Sequence, residues 1–199
     1  MLTKTDIANL ALHRVGAQRI MDLDEEGSKG ARVMRDLYEP ALRELGCLAE
    51  WQCLKDRATL GRLAPAFGWA YAYQLPVTFI RLVKLNGTEY RGEPQDDHEI
   101  EGLTLLTDAE EAKIEFVAFK EDANQFDALF VKALVAKMAA EAAVPLRQDE
   151  ALAVRLMQEF ETLALPKART RTAGERRAKR FDPAKESNFV TSRWSSTNG

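Results

Sequence analysis

Apolar residues recur three and four positions apart near both ends of the chain and alternate through its middle, which predicts helix, then strand, then helix. Thr5 can cap a first helix with Asp6 in its opening turn, and Ile7, Ala8, Ala11, Leu12 and Val15 share one face. Gly16 follows as the C′ residue, while Asn9 and His13 fall outside the stripe. Residues 17–27 read as a loop rich in Asp, Glu and Gly. Ser28 is the next N-cap, and Ala31, Met34, Leu37, Tyr38, Ala41, Leu42 and Leu45 form a stripe that ends at Gly46. Pro40 inside this stripe is expected to bend the helix or end it early.

The period then shortens. Residues 53–63 read as a strand or an irregular edge, and Ala70 to Leu75 alternate aromatic and small residues before Pro76. Phe79 to Leu85 runs into Asn86-Gly87, a type I′ hairpin signal, with Thr88 to Arg91 as the return strand. Residues 92–97 read as a polar turn, and His98–Ile100 with Leu103–Leu106 as a hairpin around Glu101-Gly102. Lys113 to Phe119 alternates with Ile114, Phe116 and Ala118 on one face.

Helical spacing returns at about Asn124, where Phe126, Leu129, Phe130, Ala133, Ala136 and Ala140 make an alanine-rich face until Pro145. A last helix is expected from about Asp149 to Leu165, with Ala153, Leu156, Met157, Phe160 and Leu163 inward and Pro166 as its end. The fold class is therefore α+β: a four-helix body over residues 1–166, a small antiparallel β insertion at about 53–120 between helices 2 and 3, and an extended C-terminal arm over 167–199.

Charge separates the arm from the body. Residues 167–199 hold nine Lys/Arg and three Asp/Glu, a net of +6, which leaves 19 and 28 for residues 1–166, a net of −9. The arm has almost no aliphatic residues and cannot bury enough surface to fold alone. Its arginines and isolated aromatics resemble anchors for a partner's pockets. Arg169, Arg171, Arg176, Arg177, Lys179, Arg180, Phe181, Phe189, Arg193 and Trp194 are the candidate docking residues, toward a negatively charged surface on another protein, a neighbouring copy or nucleic acid.

Candidate chemistry is thin. Cys47 and Cys53 have five residues between them, matching neither a redox pair nor a zinc half-site, so both read as reduced, partly buried thiols. No segment approaches the roughly 18 apolar residues of a membrane span, and the polar start does not read as a secretory signal. His13 reads as solvent-facing, and His98 in Asp96-Asp97-His98-Glu99 as part of a solvated turn, because adjacent acids on a strand alternate faces. The Asp22 to Glu26 loop lacks the ligand spacing of a calcium loop. Trp51, Trp69, Tyr71 and Tyr73 fit the seam between helices and sheet better than a base-stacking platform. Walker, dinucleotide, nucleophile-elbow and zinc-protease motifs are absent from the sequence, so no catalytic, cofactor or metal residue is assigned.

The run Ile7-Ala8-Asn9-Leu10-Ala11-Leu12, then Val15-Gly16, Ile20 and Leu23-Asp24, resembles the start of the podophage tail tubular protein A family of head-to-tail adaptors. The likeness continues through the Ala31 to Leu45 helix, Trp51, Tyr71-Ala72-Tyr73-Gln74-Leu75-Pro76, and Asn124 to Ala143 with Phe126 and Phe130. It covers about residues 5–165, and its specificity lies in the order and spacing of short motifs. It implies a structural, non-enzymatic subunit of a ring, typically twelvefold, in the virion neck. That ring would lie between the portal protein and a nozzle protein like tail tubular protein B, with an arm reaching the portal. Genomic DNA would pass its channel without sequence-specific binding, and an acidic lining would let it slide. The subunit would be made in the host cytoplasm and need no cofactor or membrane. Two other readings fit the same sequence: a nucleic-acid-binding protein gripping phosphates with its basic tail, and a head-completion protein of a long-tailed phage.

Overall fold

A computed structural model describes residues 1–64, 66–89 and 98–175. It has the expected α+β architecture. Helices α1 (Lys4–Arg14) and α2 (Lys29–Leu48) precede a β insertion, and α3 (Ala128–Arg147), α4 (Glu150–Glu159) and α5 (Leu165–Gly174) follow it. A π-helical turn, Phe160–Ala164, joins α4 to α5 without a break, so the last two segments form the fourth helix of the body.

The first cap lies earlier than the sequence predicts. Thr3, not Thr5, accepts the Asp6 N–H, and the Asp6 carboxylate accepts the Thr3 N–H, a reciprocal box that satisfies two end groups. Thr5 instead accepts the Leu23 N–H at 3.1 Å. Gly16 takes φ +66° after α1, as expected of a C′ residue. Asn9 has a role that its place off the apolar stripe concealed. Its amide donates to the Ile20 carbonyl at 3.0 Å and accepts the Ile20 N–H at 2.9 Å, tying the 17–27 loop to α1.

None of the three prolines stops its helix where expected. Pro40 lies on the exposed side of α2, where water can solvate the carbonyl it leaves free, while Ala41, Leu42 and Leu45 continue the buried stripe. Pro145 falls in the last turn of α3, which ends with Gln148 in the left-handed region at φ 55°. Pro166 follows the π turn, where the Leu165 N–H reaches back five residues to the Phe160 carbonyl. That wider turn relieves the clash a proline ring makes with the carbonyl four residues earlier. It also shifts the helix phase by one residue. Leu163, expected inward, is 46% exposed, and the buried face resumes at Ala168 and Thr172.

Helix α3 is central. It begins at Ala128 rather than Asn124, because Asp127 caps it by accepting the Leu129 and Phe130 N–H groups after a short 3-10 turn at Ala123–Gln125. The expected single alanine face is part of a wider burial. Val131, Leu134, Val135, Met138, Ala139 and Ala142 are also buried, as α3 packs against α1, α2, α4 and α5. Small side chains let four neighbours approach one helix.

Lys137 is the charged exception, with a side chain 8% exposed. Its ammonium lies 2.5 Å from Glu44 and 2.7 Å from Glu141. Burial pushes its pKa down, but the hydrogen bonds and charges of Glu141 and Glu44 outweigh that and raise it. A raised lysine pKa contributes stability that is complete below the unfolded value and lost as pH rises through the folded one. Lys137→Met is therefore expected to cost about 2 kcal/mol, below the usual loss for a fully buried pair because Glu44 can hydrate. The difference from wild type should shrink above the ordinary lysine range; urea titrations at neutral and strongly alkaline pH check it, and a gap that widens at alkaline pH contradicts it.

The antiparallel insertion expected at about 53–120 is built as two packed four-stranded sheets. One has order β1 (Lys55–Thr59), β8 (Lys113–Ala118), β4 (Phe79–Leu85), β5 (Thr88–Glu89). The other has order β2 (Arg62–Leu63), β3 (Tyr71–Gln74), β7 (Thr104–Thr107), β6 (His98–Glu101). All pairings are antiparallel. Asn86 and Gly87 turn β4 into β5 with φ 49° and 88°, the two positive angles of a type I′ turn. Tyr73, Leu75 and Leu105 from one sheet and Leu82, Ile114 and Phe116 from the other form a core distinct from the helical one.

Strand β4 breaks the two-residue period. Register shifts between Phe79 and Arg81, and between Leu82 and Lys84, each insert a residue. Phe79, Leu82 and Leu85 thus pack in the sandwich core. Ile80 and Val83 pack with the helices, and Arg81 and Lys84 reach acids outside the sandwich. Gly46 of α2 sits over this strand, where a Cβ would meet Ile80 Cδ1 at 2.9 Å. That close approach favours a residue without a side chain here, inside a helix that continues to Leu48 rather than ending at Gly46.

Candidate docking surfaces

The segment expected to leave the body at residue 167 stays helical to Gly174. Ala168 and Thr172 are buried, and α5 packs on α3. Thr172 Oγ1 accepts the Gln52 N–H at 2.9 Å, clipping α5 to the junction between α2 and β1. Arg169 and Arg171 are exposed on the opposite side, and Arg171 pairs with Glu175 at 3.0 Å. Of the ten candidate arm residues these two are described. Arg176, Arg177, Lys179, Arg180, Phe181, Phe189, Arg193 and Trp194 lie outside the described residues. Residues 1–175 hold 22 Lys/Arg and 29 Asp/Glu, a net of −7, and 176–199 hold six and two, a net of +4.

Two shallow grooves flank α1. One, of about 440 Å³, runs between α1, α3 and α4, with Leu10, His13, Val131 and Val135 along it and the Arg14–Glu159 pair at 2.5 Å beside it. The other, of about 350 Å³, is lined by Asp6, Asn9, Leu10, His13, Ala17 and Arg19. Leu10, half-exposed, and His13 form the ridge they share. On the β side, Phe67 is fully exposed in the turn at Phe67-Gly68, and Leu63 of edge strand β2 is 42% exposed. Leu10 falls outside the α1 stripe in the sequence as well, whereas Phe67 was not separable from core candidates, because hydropathy does not say which residues of a loop turn outward.

The four aromatics expected at the helix–sheet seam divide. Trp51 is fully buried in the helical core, edge-on to Phe130 at 5.0 Å, and Tyr73 is buried in the sandwich core with its hydroxyl donating to the Ala109 and Glu110 carbonyls. Trp69 and Tyr71 are half-buried, and the Arg62 guanidinium lies 4.5 Å over the Tyr71 ring.

Among the described residues, no group of three or more His, Cys, Asp or Glu could hold a metal ion. The Asp22 loop shows why acids there do not converge. The Asp24 and Glu25 N–H groups donate to the Asp22 carboxylate and, with Glu25 first, hold its pKa below the usual range. The Leu23 and Glu26 carbonyls accept from the Arg35 guanidinium, so these loop oxygens are already engaged by a side chain. His13 is exposed as expected; His98 is half-buried at the start of β6, opposite Thr107, and Asp96 and Asp97 lie outside the described residues. Cys47 and Cys53 are free thiols, but only Cys53 is partly buried, and burial pushes it up to about 12; Cys47 is exposed. No helix among the described residues is long and apolar enough to cross a membrane. Comparison of the chain with protein-family models and with curated proteins gives no match in either.

Proposed function

We propose that this chain is a ring-forming structural adaptor of a phage neck, seated between portal and tail nozzle. Its C-terminal residues after Glu175 are the docking arm, and its role is non-enzymatic. The observation that carries this reading is the charge split between an acidic body and a basic C-terminal segment with widely spaced aromatics. An acidic subunit beside copies of itself needs opposite charge crossing the interface, and the Arg-rich segment supplies it on a neighbour or on the portal.

The body's surfaces support the same reading. A closed ring of identical subunits uses two unlike side surfaces, each meeting the other on the next copy. The α1 groove on the helical side and exposed Phe67 on the β side are two such unlike apolar features. Ordering the arm costs entropy, which contacts repeated around a ring offset.

Size-exclusion chromatography with light scattering, on the chain alone and mixed with a portal ring, tests the proposal. The expected result is a stoichiometric complex with portal, in which the chain forms a ring. A monomer that binds DNA and ignores portal refutes it.

A further inference from the structure

Three cations converge on one carboxylate on the outer face of the first sheet. Register sets Arg57 of β1 and Lys84 of β4 on either side of Glu115 of β8. The Glu115 carboxylate lies 2.9 Å from Lys55, 3.1 Å from Arg57 and 3.5 Å from Lys84. A fourth cation, Lys120, donates to the Lys55 carbonyl at 3.3 Å. Partial burial pushes the Glu115 pKa up, but the hydrogen bond and charge of Lys55, then Lys84 and Arg57, bring it below the usual carboxylate range. One ionised acid neutralises one of four positive charges. Among these five groups an excess of positive charge remains, on a body whose net charge is negative.

From this we infer that the outer face of the first sheet binds the phosphate backbone of double-stranded nucleic acid. The cations come from β1 and β4, one on each side of β8, and from Lys120 past its end; with strands about 4.8 Å apart this row suits a repeating polyanion better than a single ion. The apolar neighbours on this side, Val83 and Val117, are buried in the helical core, so the face offers no wedge for a lipid surface. Backbone contact carries no sequence information, as a passing genome requires; the choice of DNA over another polyanion rests on the adaptor reading. DNA would then meet a cationic face at this position rather than the acidic lining that net charge suggests. The bulge at Val83 is what makes the face possible, because strict alternation from Leu82 would turn Lys84 into the sandwich core.

Fluorescence anisotropy of the full chain with a 20-base-pair duplex, in two unrelated sequences and across a salt series, tests the inference. The Arg57→Gln, Lys84→Gln double variant should bind both duplexes at least about tenfold more weakly at low salt, with a log–log salt slope shallower by about 1.8. Arg57→Gln alone, at a side chain 74% exposed and safe for folding, should reduce the slope by about 0.9. Lys29→Gln with Arg32→Gln, at exposed positions of α2, is the control outside the face and should leave the slope of wild type unchanged. Unchanged slopes in the sheet variants, or a wild type that does not bind duplex, overturn the inference. Portal docking of Arg57→Gln, measured separately, distinguishes the two readings. Docking retained with an unchanged DNA slope sinks this inference alone; DNA binding that needs Arg57 in a chain that ignores portal sinks the adaptor alone.

Discussion

Replacing Trp51 with alanine is expected to cost the fold about 4 kcal/mol, a large share of the stability of an ordinary domain. Trp51 has no solvent exposure, and it packs edge-on against Phe130 of the central helix. Its indole N–H donates to the Leu45 carbonyl at 2.5 Å, near the end of α2, where a helix carbonyl lacks its usual intrahelical partner. The substitution therefore opens a cavity in the helical core and leaves a buried acceptor without its donor. It should lower the urea midpoint steeply at unchanged slope, since the transition still exposes nearly the same surface. Trp69→Ala, in a half-buried loop position, should cost much less. A loss below about 1 kcal/mol for Trp51→Ala would show that the helical core does not depend on this contact.

The second large effect concerns docking and depends on where the chain is cut. Ending it after Glu175 should abolish complex formation with portal and leave the melting temperature nearly unchanged. Ending it at Pro166 removes buried Ala168 and Thr172 as well, and with Thr172 the acceptor of the Gln52 N–H. That cut should destabilise the body by about 2 kcal/mol, so lost docking there would confuse unfolding with loss of the arm. Calorimetry on both truncations, beside a portal pull-down, separates the two. Portal capture that survives removal of residues 176–199 would eliminate the arm as the docking element.

Much of the fold was legible because local chemistry and periodicity agreed. Ser28 caps α2, Asn86-Gly87 makes the hairpin, and Ile114, Phe116 and Ala118 line one face of β8, each as its residue types require. Where the sequence misled, tertiary packing had overruled a local rule. Pro40 is a strong breaker in isolation, but the buried stripe of α2 continues past it, while α3 runs only two residues beyond Pro145. Pro166 is tolerated through a π turn, which no composition announces. The bulges in β4 were equally hidden, since Phe79 to Leu85 reads as a plain apolar run and only pairing with β8 reveals the inserted residues. The cation cluster follows from that: Lys55, Arg57, Lys84 and Glu115 lie up to 60 positions apart, and their meeting is a property of register. The arm's docking residues were legible as charge alone, and charge set their sign without setting where the body ends.

The central position of α3 also bears on how the chain is made. Helices α1 and α2 contact each other far less than each contacts α3, so their apolar stripes have little to close on until α3 exists. The strands from Lys55 to Ala118 all leave the ribosome before α3, and their core shares no buried residue with the helical one. A nascent chain halted before Asp127 should therefore hold a sandwich able to assemble, beside two helices that present uncovered leucines and alanines to solvent. The span of translation between Ala118 and Arg147 is the interval in which this protein is most exposed to chaperones and to aggregation.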